Sequence, residues 1–495
     1  MRIVAILLLL LIQIVSKAQD AGIKNLPVYS SQQVRADFIY LKNLLEKVHP
    51  SLYRYTTKDT LDHYFDSGFS KLDHPMDQIE AWLLMQSVVA KIKSLHTYLT
   101  LSASFLNERS INSLNVIPFY ICKGPDISTG YPYQKGYFIK NYIGTPDTSI
   151  RLMSKILEID GEPIEQIVDK LKTLISADGN TDSYKENILE TGSFNNLYAL
   201  LYPQKNEFTF LFKSFDGVKK KQLVKAANIQ GTRKFLINGF KSRIAESDSM
   251  HFNYHSSDSI WHTVIYPRDI PSTAWVMLNS FTYNDYEKFH DKLFRDLKNK
   301  EIKNLIIDLR GNHGGYDRIA IDLLKYLINK RFYYTKEIER VVDVNDFTLV
   351  MKTEKHTIDD PSLLLSLIDH KFYKGNFSIY DGLQKSYKKT FKGNVYLLTD
   401  GGTCSAGSLF SVAMKSQNNC KVWGKETGGT QAGSDGYSFN IVLPHTSLEL
   451  TLPLIWSLSA STEYDYGRGL KPDQEIFSGS MDLTFIMMQG AVMNK

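Results

Sequence analysis

The front of the chain carries apolar residues at the spacing of amphipathic helices. A run of this kind begins at a favoured N-cap serine, at position 30 or 31, and ends at His49-Pro50. Two further helical patterns follow, and then apolar and polar residues alternate over 95–101 as in a strand. These patterns predict an N-terminal helical module over residues 19–105.

The middle of the chain changes to short strand patterns separated by turns. Asp160-Gly161 marks a tight turn, and an amphipathic helix follows it over 164–174. Another helical pattern lies over 182–201. We therefore place a small β-rich domain with a helical link at 106–200.

After residue 200, strand and helix patterns alternate. The predicted strands cover 273–278, 304–308, 394–398 and 420–423, and the predicted helices cover 283–297, 317–328 and 405–416. This order predicts an α/β layer with largely parallel strands. We expect the sheet to finish in a hairpin over 439–452, and we assign 201–495 to this core. The fold class is therefore α/β, in a multi-domain chain.

Composition limits the possible functions. The chain has 495 residues, 43% of them hydrophobic and 22% charged, so two or three packed domains are expected. The formal net charge is only +5, and the basic residues do not form a block. Charge therefore gives no support for a nucleic-acid partner.

The N-terminus has the pattern of a secretory signal. Arg2 precedes the apolar run 3–15, and the small residues Ser16 and Ala18 follow. We interpret 1–18 as a signal peptide; a signal anchor is the alternative, although the run is short for a membrane span. Because no later stretch is long enough to cross a bilayer, we expect an exported mature protein without a stable membrane span.

Cysteine usage does not suggest a disulfide scaffold. The three cysteines, Cys122, Cys404 and Cys420, allow at most one internal bridge. Two of them flank one predicted helix, and we interpret both as small buried residues. Cys404 as a nucleophile stays an alternative, but Ser405 stands closer to the helix entrance.

Two strand-to-turn junctions carry the candidate chemistry. The first is NLIIDLRGNHGG at 304–315, and the second is TCSAG at 403–407, directly after an apolar run. Ser405 then stands at the start of a helix, where free N–H groups and the positive end of the dipole favour negative charge on an attacked carbonyl oxygen. Together the two junctions indicate a hydrolase site.

Several segments resemble the S41 serine peptidases, the tail-specific or C-terminal-processing protease family. They are NLIIDLRGNHGG at 304–315, YLLTDGGTCS at 396–405, VWGKETGG at 422–429 and GRGLKPD at 467–473, with VHPSLY at 48–53 and HT at 96–97 near the front. Each motif alone is weak, but together they stand in the family's order. The resemblance implies a ClpP/crotonase-like catalytic core, a PDZ-like domain before it, and Ser405 as the nucleophile.

One position departs from the processing proteases of that family, which pair the serine with a lysine. Thr430 stands where that lysine would fall, and Lys425 lies nearby in a variable part of the motif. The tricorn-like branch uses serine with histidine instead, and His96 matches its histidine. A carboxylate would complete that arrangement; Glu463 and Asp465 are the candidates.

The site chemistry follows from that resemblance. An imidazole with a pKa near 6.5 can take the serine proton, and backbone amides of Ala406 and of Gly314 or Gly315 would stabilise the oxyanion. Structural alternatives stay open: Ser405 as an ordinary helix cap, His96 as a structural histidine, and His313 as either the base or a turn residue. Asp308 and Arg310 are interpreted as a structural pair at a strand end.

The sequence thus predicts a serine peptidase that is exported across the inner membrane to the periplasm and cleaves peptide or protein substrates through an acyl-enzyme. Ser405 is the expected nucleophile, His96 the general base and Glu463 the third member. No metal or other cofactor is expected, and the oligomeric state is not assigned. The alternative is a catalytically inactive S41-fold protein that binds peptide or lipid, which Ser408, in place of a glutamate common in relatives, would fit.

Overall fold

A computed structural model gives the fold of the chain. It describes residues 27–102, 105, 114–124, 136–143, 150–214, 217–228, 249–250, 262–267, 270–339, 356–357, 382–461 and 465–476. The predicted signal peptide and Glu463 lie outside these residues. Among the described helices, none is both long and apolar enough to cross a membrane.

The helices follow the periodicity of the sequence closely. In chain order they are α1 (Ser31–Val48), α2 (Lys58–Phe69), α3 (Gln78–Val89), α4 (Ile164–Lys172), α5 (Asp182–Ile188), α6 (Phe194–Leu201), α7 (Tyr286–Asn299), α8 (Asp317–Leu327) and α9 (Ala406–Lys415). Ser30 caps α1 in a capping box: its hydroxyl accepts from the amide of Gln33, whose side chain accepts from the amide of Ser30.

The strands form several sheets. In chain order they are β1 (Val28–Tyr29), β2 (Met76–Asp77), β3 (Tyr98–Thr100), β4 (Asn115–Val116), β5 (Phe119–Lys123), β6 (Tyr137–Tyr142), β7 (Lys155–Ile159), β8 (Glu162–Pro163), β9 (Glu207–Lys213), β10 (Lys219–Lys225), β11 (Ala227–Asn228), β12 (Ser249–Met250), β13 (His262–Ile265), β14 (Thr273–Leu278), β15 (Asn304–Asp308), β16 (Thr335–Glu339), β17 (His356–Thr357), β18 (Asn394–Thr399), β19 (Cys420–Gly424), β20 (Gly433–Gly436), β21 (Phe439–Val442), β22 (Glu449–Leu452), β23 (Ile455–Ser459) and β24 (Gln474–Glu475).

The largest sheet has the order β12-β13-β14-β15-β18-β19-β24. From β14 to β24 its neighbours are parallel, as the alternating strand and helix patterns predict. Alternate side chains of these strands, such as Ile307 and Leu397, pack on α7, α8 and α9, while Trp275 and Ile306 form a second apolar cluster on the other face. These strands are buried on both faces of the sheet, and a strand buried on both faces carries apolar residues almost throughout.

The parallel register places two functional turns side by side. Asp308 at the end of β15 is the register partner of Leu398 in β18. Since both strands run in the same direction, the chain segments that follow them leave the sheet at one edge. The two junctions identified in the sequence therefore meet there.

The predicted hairpin exists, but it belongs to a different sheet. β21 and β22 pair with each other and then with β17 and β3, giving the order β17-β21-β22-β3. Their apolar side chains, including Phe439 and Leu450, share one buried cluster with Phe38 of α1 and Met85 of α3. The apolar face of the hairpin packs against the front helices. The hairpin therefore belongs to the core of the helical module and not to the central sheet.

The β-rich middle body extends further along the chain than the boundary at residue 200. Its sheet has the order β10-β9-β7-β6-β5, and β9 pairs directly with β7. Phe208, Phe210 and Phe212 of β9 bury their rings in the same cluster as the apolar residues of α4. The three rings lie on one face of the strand, and α4 and β7 supply the apolar surface that removes them from water.

Candidate active site

Hydrogen bonds join the two turns at the edge of the central sheet. The Asp400 carboxylate accepts from the amides of Gly311 and Gly402, both at 2.8 Å. The hydroxyl of Thr403 donates to the carbonyl of Leu309 at 2.8 Å. These bonds hold the segment after β15 against the segment after β18.

Ser405 has a strained backbone at the entrance of α9. Its φ and ψ angles are 50° and −127°, so it stands at positive φ although it is not glycine. Such a conformation costs about 1–3 kcal/mol and persists only where the surroundings enforce it. Below it, the Ser405 carbonyl accepts from the amide of Leu409 and from the hydroxyl of Ser408. The half-buried side chain of Ser405 is therefore held on a sharp turn from loop to helix.

Gly314 packs directly against the serine. A β-carbon at Gly314 would stand 2.6 Å from Cβ of Ser405 and 2.9 Å from the amide nitrogen of Ala406. The φ angle of Gly314 is 94°, which also favours glycine. Close approach and backbone conformation thus both require glycine here.

Asn312 holds this contact in place. It is fully buried, its side-chain amide donates to the carbonyl of Leu278 at 2.8 Å, and its side-chain oxygen accepts from the amide of Gly314 at 2.8 Å. Its backbone carbonyl accepts from the amide of Cys404 at 3.0 Å. One residue therefore joins the end of β14, the glycine turn and the residue before Ser405.

The three candidate oxyanion donors differ in their partners. The amide of Gly314 donates to Asn312 and is already occupied. For the amides of Gly315 and Ala406, no acceptor is found within the described part of the chain. Ala406 begins α9, where the first N–H groups of the helix have no internal partner. The two amides that stay available thus lie on either side of the Ser405–Gly314 contact.

Cys404 is buried beneath the serine as a thiol. Its exposed fraction is zero, and burial together with the nearby Asp178 carboxyl raises the pKa of the thiol well above its ordinary value. Its sulfur lies near the backbone of Gly428. A neutral thiol is a poor nucleophile, so these surroundings favour Ser405 over Cys404. Cys122 and Cys420 are also buried and free, as the sequence analysis expects for Cys420.

The position of the family lysine is filled by a buried hydroxyl. Thr430 is fully buried, its hydroxyl donates to the carbonyl of Gly433 at 2.7 Å, and it lies 3.0 Å from the hydroxyl of Tyr55. The ammonium group of Lys425 lies 3.9 Å from a carboxylate oxygen of Glu190, in the segment between α5 and α6. The described contacts of Lys425 do not include Ser405.

The sequence predicts a strand over 95–101, but β3 begins only at Tyr98. His96 therefore lies in the turn before this strand. Burial lowers the pKa of its imidazole to about 4, so the ring is neutral at neutral pH. Its Nδ1 atom is buried and has no partner among the described residues. No hydrogen bond between His96 and Ser405 is present among the described contacts.

Two residues that follow the predicted acid Glu463 in the sequence, Asp465 and Tyr466, lie within the described part of the chain. Asp465 forms an exposed ion pair with Lys471 at 3.1 Å. The hydroxyl of Tyr466, the residue after Asp465, donates to the carbonyl of Arg54, and its ring packs on that of Tyr55. Glu463 lies outside the described residues, so its place as third member stays a prediction.

The other polar residues of the first turn have structural contacts. Arg310 donates to both oxygens of Asp308, at 2.9 and 2.7 Å, as expected for a structural pair. The ring of His313 packs edge-on against that of Tyr184, with centroids 6.4 Å apart. Among the described residues, no group of three or more His, Cys, Asp or Glu side chains is arranged to hold a metal ion.

Sequence reasoning gave no role to three residues of this site. Asn312 and Asp400 connect the two turns, and Asp178 bonds the chain just before His96. Asn312 and Asp400 do stand inside the S41-like motifs, which is the signal that could have found them. Asp178 stands in a different predicted domain, and nothing local marks it.

Comparison with known proteins agrees with this architecture. The model of peptidase family S41 matches residues 272–476. The carboxy-terminal processing protease CtpB of Bacillus subtilis (strain 168) is 27% identical over 158 residues, which are 32% of this chain and 25% of that protein. The matched segment therefore spans only a quarter of the length of this relative.

Solved structures share the fold over most of the chain. The structure of mature CPAF complexed with lactacystin has a TM-score of 0.61 at 13% identity, and the match covers 90% of this chain and 94% of that one. The structure of the CPAF s499a mutant has the same TM-score and identity and covers 92% and 94%. At this identity the likeness concerns the fold alone.

Proposed function

We propose that this chain is a serine peptidase of family S41, whose model matches residues 272–476, with Ser405 as its nucleophile. The observation that carries the proposal is the strained backbone of Ser405 at the start of α9, in contact with Gly314. A helix cap alone does not require a non-glycine residue at positive φ, since caps normally adopt extended angles.

The proposed reaction passes through an acyl-enzyme. The Ser405 hydroxyl attacks the carbonyl carbon of a peptide bond, and a general base takes its proton. The oxyanion that forms accepts hydrogen bonds from the amides of Ala406 and Gly315, which lack acceptors in the described part of the chain. The tetrahedral intermediate then collapses: its C–N bond breaks, and the protonated base gives its proton to the leaving amine. Water, deprotonated by the same base, then attacks the ester, and the serine oxygen leaves and takes the proton back.

We assign the general base to His96. Its pKa of about 4 keeps the ring neutral and able to accept a proton at neutral pH. The low pKa also makes the free imidazole a weak base, so a carboxylate on the buried Nδ1 would strengthen it by stabilising the imidazolium. Glu463 is our candidate for that carboxylate. Thr430 cannot act as the base, because a neutral hydroxyl is far too weakly basic to take the serine proton at neutral pH.

We further propose that the protein is exported, that residues 1–18 are its signal peptide, and that it acts in the periplasm. The middle body would serve as a PDZ-like module that presents an extended peptide or protein substrate. Its five-strand path has two edges, β10 and β5, and β10 is largely exposed. An exposed edge can pair with an extended peptide through backbone hydrogen bonds.

The test is covalent labelling by a fluorophosphonate probe, which reacts only with an activated serine. We expect the wild type to be labelled, Ser405→Ala to be unlabelled, and His96→Ala to be labelled at least 100-fold more slowly. Ser411→Ala is the matched control, because Ser411 is buried on the same helix and its hydroxyl donates to the carbonyl of Gly407. Ser411→Ala should be labelled at the same rate as the wild type.

The outcomes separate the alternatives. Labelling that survives His96→Ala but not Ser405→Ala would transfer the role of base to Lys425 or His313. A folded wild type that is not labelled would contradict the peptidase proposal. It would favour the alternative of an inactive protein of the same fold that binds peptide or lipid.

A further inference from the structure

The residues around His96 form a short turn with few bonds of its own. This His96 turn (residues 93–97) follows the 3₁₀ segment Ala90–Ile92 and begins with Lys93 at φ 65°. Within it, the amide of Thr97 donates to the carbonyl of Ser94 at 3.2 Å, and the two hydroxyls of these residues are 3.0 Å apart. The turn therefore depends on contacts with other segments to keep one conformation.

One anchor lies after His96. The ring of His49 is 2.7 Å from the hydroxyl of Thr97 through Nε2, and its Nδ1 accepts from the amide of Ser51 at 3.1 Å. Because Nδ1 is the acceptor, Nε2 carries the proton and donates to Thr97. Burial lowers the pKa of His49 to about 3, so this arrangement is kept across neutral pH.

A second anchor lies before His96. The carboxyl of Asp178 accepts from the amide of Leu95 at 2.8 Å. In return, the amide of Gly179 donates to the carbonyl of Lys93 at 2.9 Å, and the ammonium group of Lys93 donates to the side chain of Asn180 at 2.8 Å. The residue directly before the histidine is thus held by a segment about 80 residues further along the chain.

That segment, the Asp178 turn (residues 178–181), is itself held on its other side. The amide of Asn180 donates to the carbonyl of Gly467 at 2.7 Å, and a β-carbon at Gly179 would stand 2.5 Å from that oxygen. The hydroxyl of Thr181 donates to the carbonyl of Asp178 at 2.7 Å. The Asp178 turn therefore lies between the His96 turn and the loop that leads away from the predicted acid.

The surroundings of Asp178 show that its role is not that of a surface charge. The side chain is 2% exposed, and its Oδ2 has no partner within the described residues. Burial and the nearby Asp435 raise the pKa of this carboxyl well above its ordinary value. Its described side-chain bond is the one to Leu95, and the carboxyl is close enough to influence the thiol of Cys404.

We propose that Asp178 is the positioning residue that holds the His96 turn at the reacting serine, by accepting the hydrogen bond from the amide of Leu95. The proposal rests on the function proposed above, in which His96 is the base. Asp178 acts through the backbone of residue 95 and does not touch the reacting atoms. A displacement of the imidazole by about 1 Å is enough to cost about 100-fold in rate.

The experiment compares two kinds of variant by fluorophosphonate labelling. Asp178→Ala removes the acceptor, and we expect labelling at least tenfold slower than in the wild type. Asp178→Leu fills the volume of the side chain but cannot accept a hydrogen bond, so its labelling should be slowed to the same extent. It takes the place of Asp178→Ala if the alanine variant does not fold. Asp178→Asn keeps a side-chain oxygen that can accept from the amide of Leu95, so labelling should stay within about threefold of the wild type.

Asp37→Ala is the matched control. Asp37 is equally buried and accepts from the amides of His445 and Thr446 and from the hydroxyl of Thr446, which join α1 to the β21–β22 hairpin. Its loss should lower stability at least as much as the loss of Asp178. Labelling of folded Asp37→Ala should equal that of the wild type.

A second readout does not depend on the reaction. In Ser405→Ala protein, the His96 ring pKa measured by NMR should rise from about 4 toward 6.5 in Asp178→Ala, because a loosened turn exposes the ring, and it should stay low in Asp178→Asn. Unchanged labelling together with an unchanged ring pKa in folded Asp178→Ala would overturn the proposal. If the wild type itself is not labelled, the peptidase proposal fails, and the ring pKa alone then decides whether Asp178 positions His96.

Discussion

Gly314 and Ser405 are in direct contact: a β-carbon on Gly314 would stand 2.6 Å from Cβ of Ser405. This contact joins the turn after β15 to the turn after β18 at the point where Ser405 has its strained backbone. The positive φ of Gly314 and the close approach of Ala406 make the position doubly restricted.

The first prediction concerns this glycine. Gly314→Ala should reduce fluorophosphonate labelling at least 100-fold and lower the free energy of unfolding by about 2 kcal/mol, because the methyl group displaces the serine and the backbone is strained. Gly436→Ala is the control, since a β-carbon there would meet nothing within 4 Å. Wild-type labelling by Gly314→Ala would contradict the described contact.

The second prediction concerns Asn312. Asn312→Ala leaves the carbonyl of Leu278 and the amide of Gly314 without their partner, so the free energy of unfolding should fall by about 3 kcal/mol, and labelling should fall with it. Asn419→Ala is the comparison, because it loses one bond to the carbonyl of Gly393 away from the site. It should cost about 1 kcal/mol in urea denaturation and leave labelling unchanged.

The third prediction is the pH dependence of labelling. With a pKa lowered to about 4, His96 is the neutral base at all pH values above that range. The labelling rate should therefore stay level from pH 8 to about pH 5 and fall only near pH 4, instead of falling near 6.5. A midpoint between 6 and 7 would mean that a carboxylate raises the pKa of His96 in the active protein, that the ring is solvated, or that another group is the base.

The fourth prediction concerns Asp317, a half-buried acid beside the site. Asp317 accepts from the hydroxyl of Tyr334 at 2.9 Å, and burial raises the pKa of Asp317 to about 6. The folded state then holds the proton more tightly than the unfolded state, so this group weakens the fold as pH rises from about 4 to 6. Asp317→Asn removes that dependence, and the variant should gain up to about 3 kcal/mol relative to the wild type between pH 4 and 7. A difference in stability between Asp317→Asn and the wild type that stays constant across this pH range would contradict the raised pKa of Asp317.

The fifth prediction concerns the cysteines. Cys404 and Cys420 are buried, and the pKa of each thiol is raised, that of Cys420 to about 12. Iodoacetamide at pH 7.5 should therefore modify neither residue in the folded protein, while both should react in guanidinium chloride. Cys404→Ala should keep fluorophosphonate labelling; its loss in a folded variant would revive Cys404 as the nucleophile.

The local features of the fold could be predicted because they depend on neighbouring residues. The bounds of α1 follow from a capping serine and an X-Pro stop, and β14 and β15 follow from apolar runs bounded by turns. The meeting of the two junctions was also predictable, since parallel strands deliver their following turns to one edge. Ser405 was identified from its place at a strand-to-helix junction, and Gly314 from the resemblance to the S41 peptidases.

The sequence by itself thus determined the element types, the parallel core and the serine junction, because periodicity, capping and turn chemistry act over a few residues. Only the tertiary structure decided that the β21–β22 hairpin covers the front helices, that β9 belongs to the middle sheet, and that His96 stands on a turn held by Asp178. The contact between the hydroxyls of Thr430 and Tyr55 was likewise decided only by the tertiary structure. These contacts join residues that are tens to hundreds of positions apart in the sequence. Many other apolar faces and polar groups have the same local sequence pattern, so only the packing of the whole chain decides which of them meet.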